Sequence, residues 1–350
     1  MKNILANSKE DIGVIDTLIS RQIPAYRQAY SDRSAWLMAC LSELAYLRFN
    51  PLFVNDAQEE LARVIEKILE EKKASKVLKV IDMINYDPEE EKRRLEKELS
   101  FLGMTLIKTF DSNGTQAILV ENENLVALAF RGTEATSVKD IKADTNATST
   151  RCESGGKIHS GFKEAYEEVS FEIQTYLDTM GEIRKPLFIT GHSLGGALAT
   201  IAAKRLEYPG GIAACYTFGS PRVGNQEWVS NIKTPLYRLV NAADCVTMMP
   251  PGEEALSVMG GLVKLIPMLG EPTRNMLLSR FGGYLHGGNM RYLTNCQNNN
   301  YDEVELLYSV SWFFRIKALV IKKLPWKKTL GDHSISIYRK KLLKVANKRN

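Results

Sequence analysis

The spacing of apolar and polar positions changes character along the chain. Residues 33–48, "RSAWLMACLSELAYLR", predict a helix apolar enough to be packed. Residues 56–73, "DAQEELARVIEKILEEKK", predict an amphipathic helix with Asp56 as its cap. "YDPEEEKRRLEKELSFLG" reads as a further helix. Asp87 can cap it, Pro88 suits its first turn, Glu89 to Glu91 favour the positive dipole end, and Gly103 ends it. The period then shortens. "MTLIKTF", "TQAILVE" and "LVALAFR" are strand-like runs separated by "DSNG" and "NEN", a meander pattern.

Beyond residue 160 strands and helices alternate. "GFKEAYEEVSFEIQTYLDTM" predicts a helix, "PLFIT" a buried strand and "GGALATIAAKRLE" a helix. "IAACYTFG" predicts a strand, "NQEWVSNIK" a short helix and "LYRLVN" a strand. This alternation indicates an α/β chain with a mainly parallel sheet. No internal repeat and no low-complexity segment interrupts it.

Composition narrows the class. A length of 350 residues with 44% hydrophobic and 25% charged residues allows one large domain with insertions, or two. The five cysteines, Cys40, Cys152, Cys215, Cys245 and Cys296, show no close pairing, which argues against a disulfide framework or zinc site. "MKNILANSKEDIGVIDTLIS" lacks the apolar core of a secretory signal, and no run reaches the roughly 18 apolar residues of a spanning helix. A cytoplasmic or peripheral-membrane location is expected, with leaderless export left open. The net charge of +5 is uneven: from Arg315 onward 12 Lys and Arg face one acid, Asp332. Such a tail fits an anionic partner or a solvated helix face.

The candidate chemistry begins at Gly191-His192-Ser193-Leu194-Gly195. A serine hydroxyl needs a neighbouring base to attack, and a strand-to-helix turn flanked by glycines exposes it. Ser193 has a buried strand before it and a helix after it. A hydrolase of this type orders its triad Ser, then acid, then His. Asp244 follows the strand-like "LYRLVN", at the C-terminal end where open α/β sheets place their sites. Two histidines follow it, His286 and His333.

Five motifs then stand in order: "AFRGT" (129–133), "IHSGF" (158–162), "ITGHSLGGALA", "YTFGSPRVGN" (216–225) and "RLVNAADCVTMMPP". Over about residues 125–293, and again near 332–342, the chain resembles the class 3, fungal-lipase-like family of α/β-hydrolases. The resemblance implies an α/β-hydrolase fold with helices on both faces of the sheet. It also implies a serine esterase acting on acylglycerols or phospholipids without a cofactor or metal. It assigns Ser193 as nucleophile, Asp244 as the acid and the backbone amides of Thr133 and Leu194 as the oxyanion hole. His333, in "LGDHSISIYRKKL", lies in a segment that resembles the Asp-His-x-x-x-Tyr segment carrying the family's catalytic histidine. His286, in "FGGYLHGGNMRYL", matches a histidine that is not catalytic. His159 and His192 read as packing or hydrogen-bonding residues.

The domain expectation is an N-terminal helical extension, 1–100, on a hydrolase domain, 101–350, with insertions at about 252–280 and 294–331. Both insertions interleave bulky apolar residues with Lys and Arg. Interfacial helices do so, and so do core-packing helices with a basic outer face. The expected partner is a lipid ester. Contact with an anionic membrane is expected through 306–326 and the basic tail, and nucleic acid is not expected. The segment where the family carries its lid, "EATSVKDIKADTNATSTRCESGGKI", is polar, so the apolar insertions are the expected cover of the acyl site. A soluble esterase of small acyl esters and a non-catalytic interaction protein are the other readings.

Overall fold

In the computed structural model, the structure describes residues 3–6, 8–21, 23, 25, 28–47, 87–132, 149–153, 155–181, 185–242, 244–250, 252, 283–296, 300–311, 313–315 and 331–349. The predicted helix at 56–73, the expected 252–280 insertion apart from residue 252, Thr133 and residues 316–330 lie outside them.

Ten strands are defined among these residues: β1 (Thr105–Ser112), β2 (Thr115–Glu121), β3 (Val126–Phe130), β4 (Ser149–Arg151), β5 (Lys157–His159), β6 (Leu187–His192), β7 (Ile212–Phe218), β8 (Leu236–Asn241), β9 (Asn289–Leu293) and β10 (Leu306–Leu307). Eight form one sheet in the order β1-β2-β3-β6-β7-β8-β9-β10. The meander β1-β2-β3 is antiparallel, β3 to β9 run parallel, and β10 closes the edge antiparallel to β9. Strands β4 and β5 form a separate ribbon, within a polar segment whose pattern predicts no element.

The helices are α1 (Lys9–Ser20), α2 (Asp32–Leu44), α3 (Pro88–Phe101), α4 (Ser160–Thr179), α5 (Leu194–Arg205), α6 (Gln226–Ser230) and α7 (Ile335–Lys348). Their starts follow capping chemistry. The Ser8 and Ser31 hydroxyls accept from the Asp11 and Ser34 amides, and Asp87 accepts from the Glu89 and Glu90 amides ahead of Pro88. Helices α4 and α5 share one buried cluster with one face of the sheet, including Phe162, Val169, Ile189 and Leu198. The other face packs with α1, α2, α3 and α7 through Leu18, Trp36, Leu41, Leu99, Phe218 and Leu342. Helices therefore cover both faces, as an α/β-hydrolase requires.

Helices α1 and α7 escape the sequence pattern as read above, and α7 changes the meaning of the basic tail. Ile335, Tyr338, Leu342, Val345 and Ala346 recur at helical spacing and are buried, so α7 is a core helix packed on α2. Two of its cations, Arg339 and Lys341, are buried and bonded internally. Arg339 is buried, pairs with Glu43, and donates to the Leu5 and Ile4 carbonyls. Lys341, also buried, donates to Asn241 Oδ1 and the Thr294 carbonyl at 2.6 and 2.7 Å. Lys344 pairs with Asp302, and Arg349 with Asp32.

Candidate active site

The strand β6 runs parallel between β3 and β7, ends at His192, and turns sharply into α5. Ser193 occupies the turn at φ 58°, ψ −126°, a conformation that L-residues adopt only when their surroundings impose it. The surroundings are the end of β3. A Cβ added at Gly195 would lie 2.3 Å from the Phe130 carbonyl oxygen, and one at Gly132 would lie 2.4 Å from that of His192. Only glycine at both positions lets the chain leaving β3 pass against the turn. Thr133, the next residue, lies outside the described residues. Leu194 is the first residue of α5, so its amide has no acceptor within the helix, and the helix dipole favours negative charge there.

Asp244 follows β8, just beyond the sheet's C-terminal edge, and His333 comes from the segment before α7. The structure brings both to the serine. His333 Nε2 accepts from the Ser193 hydroxyl at 2.9 Å, and its Nδ1–H reaches the Asp244 oxygens at 3.0 and 3.1 Å. All three side chains are buried. His286 stands elsewhere: its Nε2–H donates to the Thr247 carbonyl at 2.6 Å, and burial with neighbouring Arg238 and Arg222 pushes its pKa well below the usual imidazole value. His159 is buried and stacks on Phe162 at 4.0 Å.

Four further groups hold this constellation, and the motifs alone give none of them a part in holding the triad. The Tyr338 hydroxyl donates to Asp244 Oδ2 at 2.6 Å and accepts from the Asn241 amide at 2.9 Å. The Asn241 side-chain amide donates to the Asp332 carbonyl at 2.7 Å, tying the end of β8 to the histidine loop. His192 accepts from the Tyr46 hydroxyl at Nδ1 (2.8 Å) and donates from Nε2–H to the His333 carbonyl (2.6 Å). Burial, with His333 beside it, keeps His192 neutral, which suits one nitrogen that accepts and one that donates. Arg315 donates to Thr247 Oγ1 and to the Asp244 carbonyl, bracing the acid turn from within the second insertion. A sequence signal existed for Tyr338, five residues after His333 and so about one helical turn on. The Tyr46–His192, His192–His333 and Arg315–Asp244 bonds are made only through tertiary folding.

Among the described residues no cluster of His, Cys, Asp and Glu could hold a metal ion, and the five cysteines are free thiols. A strained serine hydrogen-bonded to an imidazole, itself hydrogen-bonded to a buried carboxyl group, can deliver an activated oxygen nucleophile.

Residues 127–254 match the sequence model of the lipase (class 3) family. A secreted mono- and diacylglycerol lipase of Fusarium solani is 31% identical over 166 residues, covering 45% of this chain and 49% of its own length. A lipase of Rhizomucor miehei is 32% identical over 164 residues, covering 42% and 45%. The chain thus spans about half the length of these curated relatives. In overall fold it is similar to lipase II from Rhizopus niveus, with a TM-score of 0.51 and 19% identity over 87% of this chain and 94% of that one. Through its 127–254 region the chain is similar to the lipase (class 3) family, and its fold is that of an α/β-hydrolase.

Proposed function

We propose that the protein is a serine hydrolase of lipid carboxylic esters, with Ser193, His333 and Asp244 as its triad. The carrying observation is the unbroken Ser193–His333–Asp244 hydrogen-bond chain on a strained turn at a helix N-terminus. In the reaction, His333 takes the Ser193 proton as the hydroxyl attacks the ester carbonyl. Asp244 holds the imidazole and stabilises its charged form, with Tyr338 and the Val246 amide holding Asp244. The amides of Leu194 and Thr133 would stabilise the oxyanion, a contribution worth about 3–4 kcal/mol per donor in comparable sites. His333 returns the proton to the departing alcohol, and water then cleaves the acyl-enzyme.

The relatives named as mono- and diacylglycerol lipases support an acylglycerol substrate, with phospholipid esters as the finer alternative. Interfacial contact belongs to the same proposal, at the segment before Arg315. There Tyr308, Phe313 and Phe314 are 67%, 70% and 48% exposed. Aromatic side chains suit the boundary of a lipid phase.

Product analysis on a mixed acylglycerol and phospholipid panel tests the assignment. Ser193→Ala and His333→Ala should each lower kcat by several decades with the fold intact, and His286→Ala should not. Full activity in Ser193→Ala would overturn the reading.

A further inference from the structure

The proposed reaction gives Lys341 no part, yet α7 holds this amine at 2% exposure. Taking an ammonium group out of water is costly unless its N–H groups find acceptors, and where stability alone is at stake an apolar side chain of similar size serves as well. Lys341 Nζ donates to Asn241 Oδ1 at 2.6 Å and to the Thr294 carbonyl at 2.7 Å. Asn241 ends β8 and is wholly buried, and Thr294 directly follows β9. The two strands pair in register as far as Asn241 and Leu293. One side chain of α7 thus ties down the ends of two neighbouring strands.

Asn241 is where this tie meets the triad. Its backbone amide donates to the Tyr338 hydroxyl, which donates in turn to Asp244, and its side-chain amide donates to the Asp332 carbonyl. The next carbonyl, that of His333 itself, accepts from His192 Nε2–H. The base loop is therefore gripped at two consecutive carbonyls, from the end of β8 and from the end of β6. Each grip works in one orientation of the gripping side chain. The Tyr46 hydroxyl at Nδ1 keeps the His192 proton on Nε2. The Asn241 amide, turned end for end, would set Oδ1 against the Asp332 carbonyl, oxygen facing oxygen. Lys341 prevents that reversal. An ammonium group carries donors only, so the atom facing it must be Oδ1, and Nδ2–H then faces the Asp332 carbonyl.

We infer that Lys341 is a positioning residue for the base. It fixes the orientation of the Asn241 amide, and through it the Asp332–His333 segment that presents the imidazole to Ser193. The inference rests on the proposed triad. Tyr338 and Lys341 stand three positions apart on α7, both buried and so on one face of the helix. One turn of α7 thus steadies the acid through Tyr338 and the base through Lys341. Because Lys341 acts at one remove, it governs turnover and not substrate affinity.

Steady-state hydrolysis of a soluble short-chain nitrophenyl ester, with circular dichroism and urea midpoints as fold controls, tests it. Lys341→Met should lower kcat about tenfold or more and leave KM within about twofold. Asn241→Leu should do the same. The double variant should be no slower than Asn241→Leu alone, since Lys341 acts through that amide. Arg339→Met separates this effect from a general loosening of α7. Arg339 is buried on the same helix but bonded to Glu43 and the Leu5 and Ile4 carbonyls, so its loss should lower the urea midpoint and leave kcat unchanged. Lys341→Gln brings an acceptor as well as a donor, suits either amide orientation, and should fall between wild type and Lys341→Met. An unchanged kcat in Lys341→Met, a double variant in which the two losses multiply, or an equal loss of kcat in Arg339→Met overturns the inference. If Lys341→Met does not fold, Lys341→Gln takes its place under the same criteria. Ser193→Ala, run alongside, keeps the two readings apart. Turnover in it equal to wild type overturns the serine-esterase reading and this inference with it, whereas its loss beside an unaffected Lys341→Met overturns this inference alone.

Discussion

At the scale of single residues, the site depends on groups that position others. The Tyr338 hydroxyl is the clearest case. Burial and Asp244 push its pKa up, so it remains a donor to the acid at every pH the fold tolerates. Tyr338→Phe should lower kcat about tenfold or more with little change in KM, since a hydrogen bond to a charged group is worth about 1.5–3 kcal/mol. Steady-state kinetics with circular dichroism as a fold control would check it. Ser193, Asp244 and His333 are legible in the sequence because each sits in a local motif. The part that Tyr46 and His192 play in holding the base is not, because their contacts span 146 and 141 residues of chain. Such bonds leave no trace in local pattern.

At the scale of elements, α7 behaves as a core helix that resembles a solvated tail. The sequence count of Lys and Arg hides an apolar stripe, Ile335-Tyr338-Leu342-Val345, that periodicity alone would reveal. The burial of Arg339 and Lys341 could not be read that way, since their partners, Glu43 and the Ile4 and Leu5 carbonyls for one and Asn241 and Thr294 for the other, lie far off in sequence. Helices α2, α4 and α5 and the parallel strands are legible because each completes a period of its own. Leu342, on α7, is fully buried in the cluster that α7 shares with α2. Leu342→Ala should destabilise the protein by about 2–5 kcal/mol, read as a lower urea midpoint at unchanged slope. An effect under about 0.5 kcal/mol would place α7 outside the cooperative core.

At the scale of the whole molecule, two buried imidazoles make stability depend on pH. His192 and His286 resist protonation in the fold, while in the unfolded chain they ionise near pH 6.5. The unfolded state therefore takes up more protons below that value. Stability is fully held above it and falls as pH drops beneath it, by about 1.4 kcal/mol per pH unit for each group. Urea midpoints between about pH 7.5 and 5.5 should show this fall. His286→Gln, which can still donate to the Thr247 carbonyl, should roughly halve the slope. A slope unchanged in that variant would show that other groups set the acid limb.

The proposed nucleophile, Ser193, and its proposed base, His333, are separated by 140 positions. At about 5–20 residues per second, a ribosome places the serine turn roughly seven to thirty seconds before it makes the imidazole. Through that interval the α5 turn can form with no base to draw off its proton, and under the proposed reaction it hydrolyses nothing. The element that brings His333 into place, α7, is also the one that closes the core against α2. Acquisition of activity and completion of folding therefore coincide in time. Under the proposed reaction, a partly made or misfolded chain is silent toward the lipid esters around it.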